Sequence, residues 1–160
     1  MVNIVYFDAK FRDSWLTKDF EKVIMQYVQP YDSILFLCAG KFRLKPSLVP
    51  FETYYLDADS SVIADVDKEH KYILDAFCED LPRLVGRTFD VVVADPPYYI
   101  AHNKKFHFVF NLRRLARRVI IVKWNIIPRL GDEWELKGIY IYEGKRWWTY
   151  ASIITVFTKK

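Results

Sequence analysis

Phe89-Asp90-Val91-Val92-Val93-Ala94-Asp95-Pro96-Pro97-Tyr98-Tyr99 decides how the rest of the chain is read. Val91 to Val93 are β-branched and uninterrupted by polar residues, the pattern of a strand buried on both faces in a parallel sheet. The run stops at an acid and two prolines. Pro96 and Pro97 fix φ and carry no N–H, so they close the strand with a stiff loop and leave the Asp95 carboxylate and nearby carbonyls as acceptors. In an open α/β sheet, ligands bind at that carboxyl edge.

Working outward, three earlier segments prepare the same edge. Ser33 to Gly40 reads as a second buried strand with a glycine stop, and Thr53 to Asp59 as a short strand that ends in acids. Asp57 lies about as far beyond Gly40 as a dinucleotide fold places its ribose-binding acid; a second register would end this strand at Asp65 instead. Tyr72 to Phe77 reads as a third strand, with Asp75-Ala76 near its end. Successive acids and loops then form one row along a parallel sheet, and their agreement weighs more than any single member.

Helical spacing fills the intervals. Phe20, Val23, Ile24, Tyr27 and Val28 predict an amphipathic helix with Thr17 as its N-cap and Pro30 closing the segment. Asp59 to Lys71 predicts a short solvated helix carrying Val62, Ile63 and Val66, and Leu81 to Leu84 a small one stopped by Gly86. Ile100 to Lys105 reads as a polar, basic loop beside the strand end. Phe106 to Arg118 predicts a helix with Phe106, Val109, Phe110, Leu112, Leu115 and Ala116 inward and Arg113, Arg114, Arg117 and Arg118 outward. Val119 to Trp124 is a further strand, and Asn125 to Leu130 a loop at the active edge. Trp134 to Tyr142 and Tyr150 to Phe157 alternate as a hairpin turned at Glu143-Gly144-Lys145-Arg146. Residues 1 to 15 read as an edge strand or an extended lead-in.

The chain of 160 residues is expected to form one domain, with lead-in and first helix over 1–30 and the core over 31–160. Hydrophobic residues at 52% exclude a disordered chain. A net charge of +4 suits a polyanionic partner. No apolar run reaches membrane-spanning length and no signal-peptide pattern opens the chain, so a soluble, cytoplasmic protein is expected. Cys38 and Cys78 lie in apolar segments, and His70, His102 and His107 have no metal-ligand spacing with them, so no metal is expected. Lys145, Arg146, Trp147 and Trp148 mix cations with large rings, as nucleic-acid surfaces do, while rings on a covered sheet more often pack inward, and at least one of these tryptophans is expected in the core.

The loop Asp95-Pro96-Pro97-Tyr98 resembles the catalytic loop of class I S-adenosylmethionine-dependent methyltransferases that methylate amino groups, above all exocyclic amines of adenine or guanine. The resemblance implies a Rossmann-like α/β fold: a mostly parallel seven-stranded sheet with a C-terminal antiparallel hairpin and helices on both faces. It implies that Asp95 and the Pro96 carbonyl accept hydrogen bonds from the target amine, with Pro97 shaping the loop and Tyr98 stacking on the base. S-adenosylmethionine would be held by Cys38, Ala39 and Gly40 against its methionine part, Asp57 at its ribose, and Asp75, Ala76 and Phe77 at its adenine. Phe11 or Trp15 would touch the ligand in such a family, although core packing is the favoured reading of both. The family usually has an acid and two or three glycines in the first loop, whereas Leu37-Cys38-Ala39-Gly40-Lys41 offers one glycine, and Pro46 and Pro50 break the helix that normally follows. Tyr99, Lys104, Lys105, Arg113 and Arg117 are the candidate contacts to a nucleic-acid substrate, RNA or DNA. With almost no residues left for a separate recognition domain, a partner protein is a second candidate for choosing the target. Two other readings use the same loop or fold: methylation of a protein lysine or glutamine amine, and a non-catalytic subunit that binds RNA or props up a partner.

Overall fold

The computed structural model describes residues 1–8, 17–143 and 152–160. The β-branched run folds as expected into strand β5 (Phe89–Ala94), and its neighbours build one eight-stranded sheet in the order β1-β7-β8-β6-β5-β2-β3-β4. The others are β1 (Asn3–Asp8), β2 (Asp32–Leu37), β3 (Phe51–Asp57), β4 (Lys71–Ile73), β6 (Ala116–Trp124), β7 (Trp134–Glu143) and β8 (Ser152–Lys159). Every pairing is parallel except those of β8 with β6 and β7. This is the class I methyltransferase fold, a mostly parallel sheet ending in an antiparallel pair. The count of eight corrects the expected seven: the lead-in is an edge strand, β1, added parallel to β7.

Alternation along the central strands explains their uniform apolarity. Leu35, Leu37, Val92, Ile120 and Val122 pack on one face with the helices α2 (Leu81–Val85), α3 (Tyr98–Asn103) and α4 (Lys105–Leu115). Ile34, Phe36, Val91, Val93 and Ile121 pack on the other with Phe20, Val23 and Ile24 of α1 (Thr17–Met25). A strand covered on both sides has no polar face to show. Gly86 adopts the left-handed conformation, φ 74°, that stops α2.

Several expected elements differ. Thr17 is the first residue of α1 rather than its cap, and the helix ends at Met25, short of Pro30. The strands expected over Ser33–Gly40 and Tyr72–Phe77 end at Leu37 and Ile73, and the second register ending at Asp65 is excluded because β3 stops at Asp57. No α-helix forms over Asp59–Lys71, only turns and a 3₁₀ turn, Lys68–His70. Arg43 accounts for this: its guanidinium donates to the Val62 carbonyl at 2.6 Å and to both Asp65 oxygens, holding the segment in a non-helical path. The expected loop Ile100–Lys105 is largely helix α3, started by Pro97 with φ −59°. In α4 the buried set is Phe108, Asn111, Leu112 and Leu115, so Phe106 and Phe110 face solvent rather than the core. The helix stops at Leu115, which places Arg117 and Arg118 on β6. Phe11, Trp15 and the hairpin turn with Lys145, Arg146, Trp147 and Trp148 lie outside the described residues.

Candidate functional site

The chain leaves β2 to build β3 and β4 on one side, then returns to lay β5 on the other, so the carboxyl ends of β2 and β5 form the switch point of the sheet. Short backbone bonds tie the strand ends together there. The Asp95 N–H donates to the Leu37 carbonyl at 3.2 Å, the Ala39 N–H to Leu56 at 3.2 Å, and the Leu74 N–H to Asp57 at 3.2 Å. The four loops that leave these strands therefore meet around one cavity of about 480 Å³, within the range of small-molecule sites.

Its walls include Cys38, Gly40, Asp57, Asp75, Ala76, Phe77, Asp95, Pro97 and Lys104, nine of the residues singled out from sequence. Gly40 has φ +51° and nothing within 4 Å of where a Cβ would stand, so the backbone borders open space in a conformation that favours glycine. Asp57 fixes that loop by accepting the Gly40 N–H at 2.9 Å through Oδ2 and the Asp59 N–H at 3.0 Å through Oδ1. Each carboxylate oxygen has a second lone pair for a ligand hydroxyl. Asp75 is exposed and accepts the Phe77 N–H at 2.9 Å. The carboxylates also converge on Cys38. Burial first, then the charges of Asp57, Asp95 and Asp75, push its thiol far above the ordinary cysteine value, so Cys38 stays a neutral wall.

Among the described residues, Asp95 is the one acid of the three with a cationic side-chain partner. Lys123 Nζ, on the adjacent strand β6, donates to Asp95 Oδ2 at 3.2 Å. Burial raises the Asp95 carboxyl above the usual carboxylate range, and Lys123 opposes that rise. Sequence reading missed Lys123, although an ionisable residue inside the apolar run Val119–Trp124 was a signal. It missed Asn111 as well. That side chain is fully buried in α4 and donates through Nδ2 to the carbonyls of Ala76 at 2.9 Å and Cys78 at 2.8 Å, stapling the third loop.

The remaining expected contacts divide. Pro96 is buried, Tyr98 packs half-buried against the core on the α4 face, and Tyr99 is exposed at the start of α3. Ala39 is buried on the opposite face of the sheet. Lys105 and Arg113 line a second cavity beside α4. Arg117 does not belong to the site: it opens β6 at the amino edge of the sheet, where Nε donates to Asp90 Oδ1 at 3.1 Å and Nη2 to the Ser33 hydroxyl at 3.3 Å. Helix α4, on whose outer face it was expected, ends two residues before it.

No protein-family model and no curated protein matches the sequence. Solved structures do match. TrmN from Thermus thermophilus is similar at TM-score 0.64 and 15% identity over 88% of this chain and 48% of that one, so the chain spans about half of TrmN. A TehB-like S-adenosylmethionine-dependent methyltransferase from Corynebacterium glutamicum is similar at TM-score 0.60 and 15% identity, covering 88% of this chain and 86% of that one. An rRNA methylase from Streptococcus thermophilus is similar at TM-score 0.59 and 8% identity, covering 88% and 94%. At these identities the likeness is one of fold.

Proposed function

We propose that the protein is an S-adenosylmethionine-dependent N-methyltransferase acting on an exocyclic amine of a nucleic-acid base, adenine favoured. The observation that carries this reading is the convergence of Asp57, Asp75 and Asp95 with the Gly40 backbone on a single cavity at the switch point. Three carboxylates suit a ligand bearing a sulfonium and an ammonium, and the open backbone at Gly40 suits its close approach. The names of two similar structures, a methyltransferase that uses S-adenosylmethionine and an rRNA methylase, agree with it.

The donor set fits the cofactor: Gly40 and the neighbouring backbone at its methionine part, Asp57 at the ribose hydroxyls, Asp75, Ala76 and Phe77 at the adenine. When bound, S-adenosylmethionine supplies a methyl group on positively charged sulfur. The residues of the chain do the rest. An exocyclic amine is a poor nucleophile because its lone pair is conjugated with the ring. Ionised Asp95 and the Pro96 carbonyl accept its two hydrogens and turn the lone pair out of that conjugation, which is catalysis by positioning and fixed charge. The nitrogen, positively charged once it has formed its bond to the methyl carbon, gives one proton to the hydrogen-bonded Asp95 carboxylate, which returns it to water, and Cys38, held protonated, attacks nothing. Tyr98 flanks the same loop to receive the base, and a target inside a duplex has to be swung out, at a cost of a few kcal/mol.

Methyl transfer from labelled S-adenosylmethionine to mixed RNA and DNA tests this reading. Wild-type protein labels nucleic acid, and Asp95→Ala lowers the rate about 100- to 1000-fold with an unchanged circular-dichroism spectrum. Equal turnover by Asp95→Ala refutes the role of that acid. One observation favours a binding-only subunit, namely that no helix follows the Gly40 loop across residues 41–50. Cofactor binding without any transfer would decide for it.

A further inference from the structure

The charge on either side of Lys104 changes sign. The cavity described above gathers three carboxylates and Lys104, whereas the second cavity, about 520 Å³ between α4 and the loop after β6, is bordered by Lys105, Arg113 and Arg129. Among the described residues lining it there is no carboxylate. Glu133 is the nearest counter-charge to Arg113, at a loose 4.0 Å. The groove also presents large rings. Phe106 and Phe110, one helical turn apart on α4, are 81% and 46% exposed. Cations accompany both: Lys105 Nζ lies 5.6 Å from the Phe106 ring and the Arg114 guanidinium 5.3 Å from that of Phe110. Trp124, whose buried indole N–H has no acceptor among the described residues, completes the lining.

Exposed phenylalanines on a helix whose other face is fully packed call for an occupant. We propose that this groove binds the single-stranded nucleotides next to the target base, stacking them on Phe106 and Phe110 and holding their phosphates with Lys105, Arg113 and Arg129. The inference rests on the nucleic-acid reading of the Asp95 site and names the surface that would deliver substrate to it. Two features select a nucleic-acid strand over other partners. Rings interleaved with cations match a chain that alternates flat bases with anionic phosphates. The groove also adjoins the site: a smaller cavity, bordered by Glu79 and His107 as well, shares Phe77 and Lys104 with the acidic cavity and Phe106 with the groove.

The experiment is fluorescence anisotropy of the whole chain with labelled single-stranded RNA and DNA octamers, at several salt concentrations and without cofactor. Single strands are expected to bind more tightly than duplexes of the same sequence. Phe106→Ala and Phe110→Ala should each weaken binding about tenfold, and Arg129→Gln should reduce the salt slope by about 1. Arg117→Gln, at the far edge of the sheet, should leave binding unchanged. Calorimetric binding of S-adenosylmethionine should be the same in both phenylalanine variants and wild type. Unchanged oligonucleotide affinity in those variants overturns the inference, as does tighter binding of a poly-glutamate peptide. Wild-type protein that binds cofactor but no single strand overturns the groove alone. Protein that binds neither ligand overturns the parent reading with it.

Discussion

Asp95 sits where two demands meet. The role proposed for it needs an ionised carboxylate to accept hydrogen bonds from an amine, yet burial disfavours its charge and raises its carboxyl above the usual range. Lys123, only 14% exposed at its side chain, opposes that rise from 3.2 Å away. Loss of the cation should therefore push the Asp95 carboxyl higher still. In the proposed mechanism transfer by ionised Asp95 declines as pH falls through its pKa, so Lys123→Met should move the acid limb of the rate profile to higher pH. Lys123→Arg, which keeps the charge, should restore most of the wild-type profile. Initial rates of methyl transfer against pH check both, and an unmoved acid limb in Lys123→Met contradicts the pairing. Asp95 itself was legible in the sequence because Pro96 and Pro97 mark the strand end so sharply. Its partner was not, because pairing across β5 and β6 depends on register, which no local pattern states.

At the scale of elements, the buried strands were the readable part. Val91 to Val93 and Val119 to Val122 are apolar without a break because both faces of β5 and β6 are covered, and few other structures produce such runs. Helix α4 shows where the pattern misleads. Its true inner face, Phe108, Asn111, Leu112 and Leu115, has good helical spacing, but one member is an amide. With Asn111 counted as outward, the best apolar stripe shifts onto Phe106 and Phe110. The amide is inside because two loop carbonyls need a donor. Asn111→Leu leaves the Ala76 and Cys78 carbonyls without it and should cost about 1–3 kcal/mol of stability. The same change should loosen the cavity wall at Ala76 and, if the proposed cofactor binds there, weaken S-adenosylmethionine about tenfold. Chemical denaturation and calorimetry measure the two effects. A variant with normal cofactor affinity would detach Asn111 from the site. The 59–71 segment failed for a different reason. Arg43, remote in sequence, takes up a carbonyl and an acid that a helix would have used or exposed.

At the scale of the whole molecule, the two edges of the sheet do different work. The carboxyl edge gathers acids around a cavity, and the amino edge ties strands together. There Asp90 of β5 accepts the Ser33 N–H at 2.9 Å and its hydroxyl at 3.0 Å from β2, and the Arg117 guanidinium from β6. Burial alone would raise the Asp90 carboxyl, but the Ser33 and Arg117 hydrogen bonds outweigh it and hold the group below its ordinary value. A depressed carboxyl adds stability that is complete above the unfolded-state pKa and fades as pH falls through the folded one. Asp90→Asn should therefore lower Tm most near neutral pH, with the gap from wild type closing under acid conditions. A gap independent of pH would contradict that account. Among the described residues no helix is long and apolar enough to cross a membrane.

Whether the acidic cavity between β2 and β5 holds S-adenosylmethionine can be read from calorimetric titration of the purified protein. Saturable binding of S-adenosylmethionine and of S-adenosylhomocysteine is expected, weakened by Asp57→Ala in a protein that remains folded. No heat of binding at millimolar ligand, from protein with the expected thermal transition, would contradict that expectation.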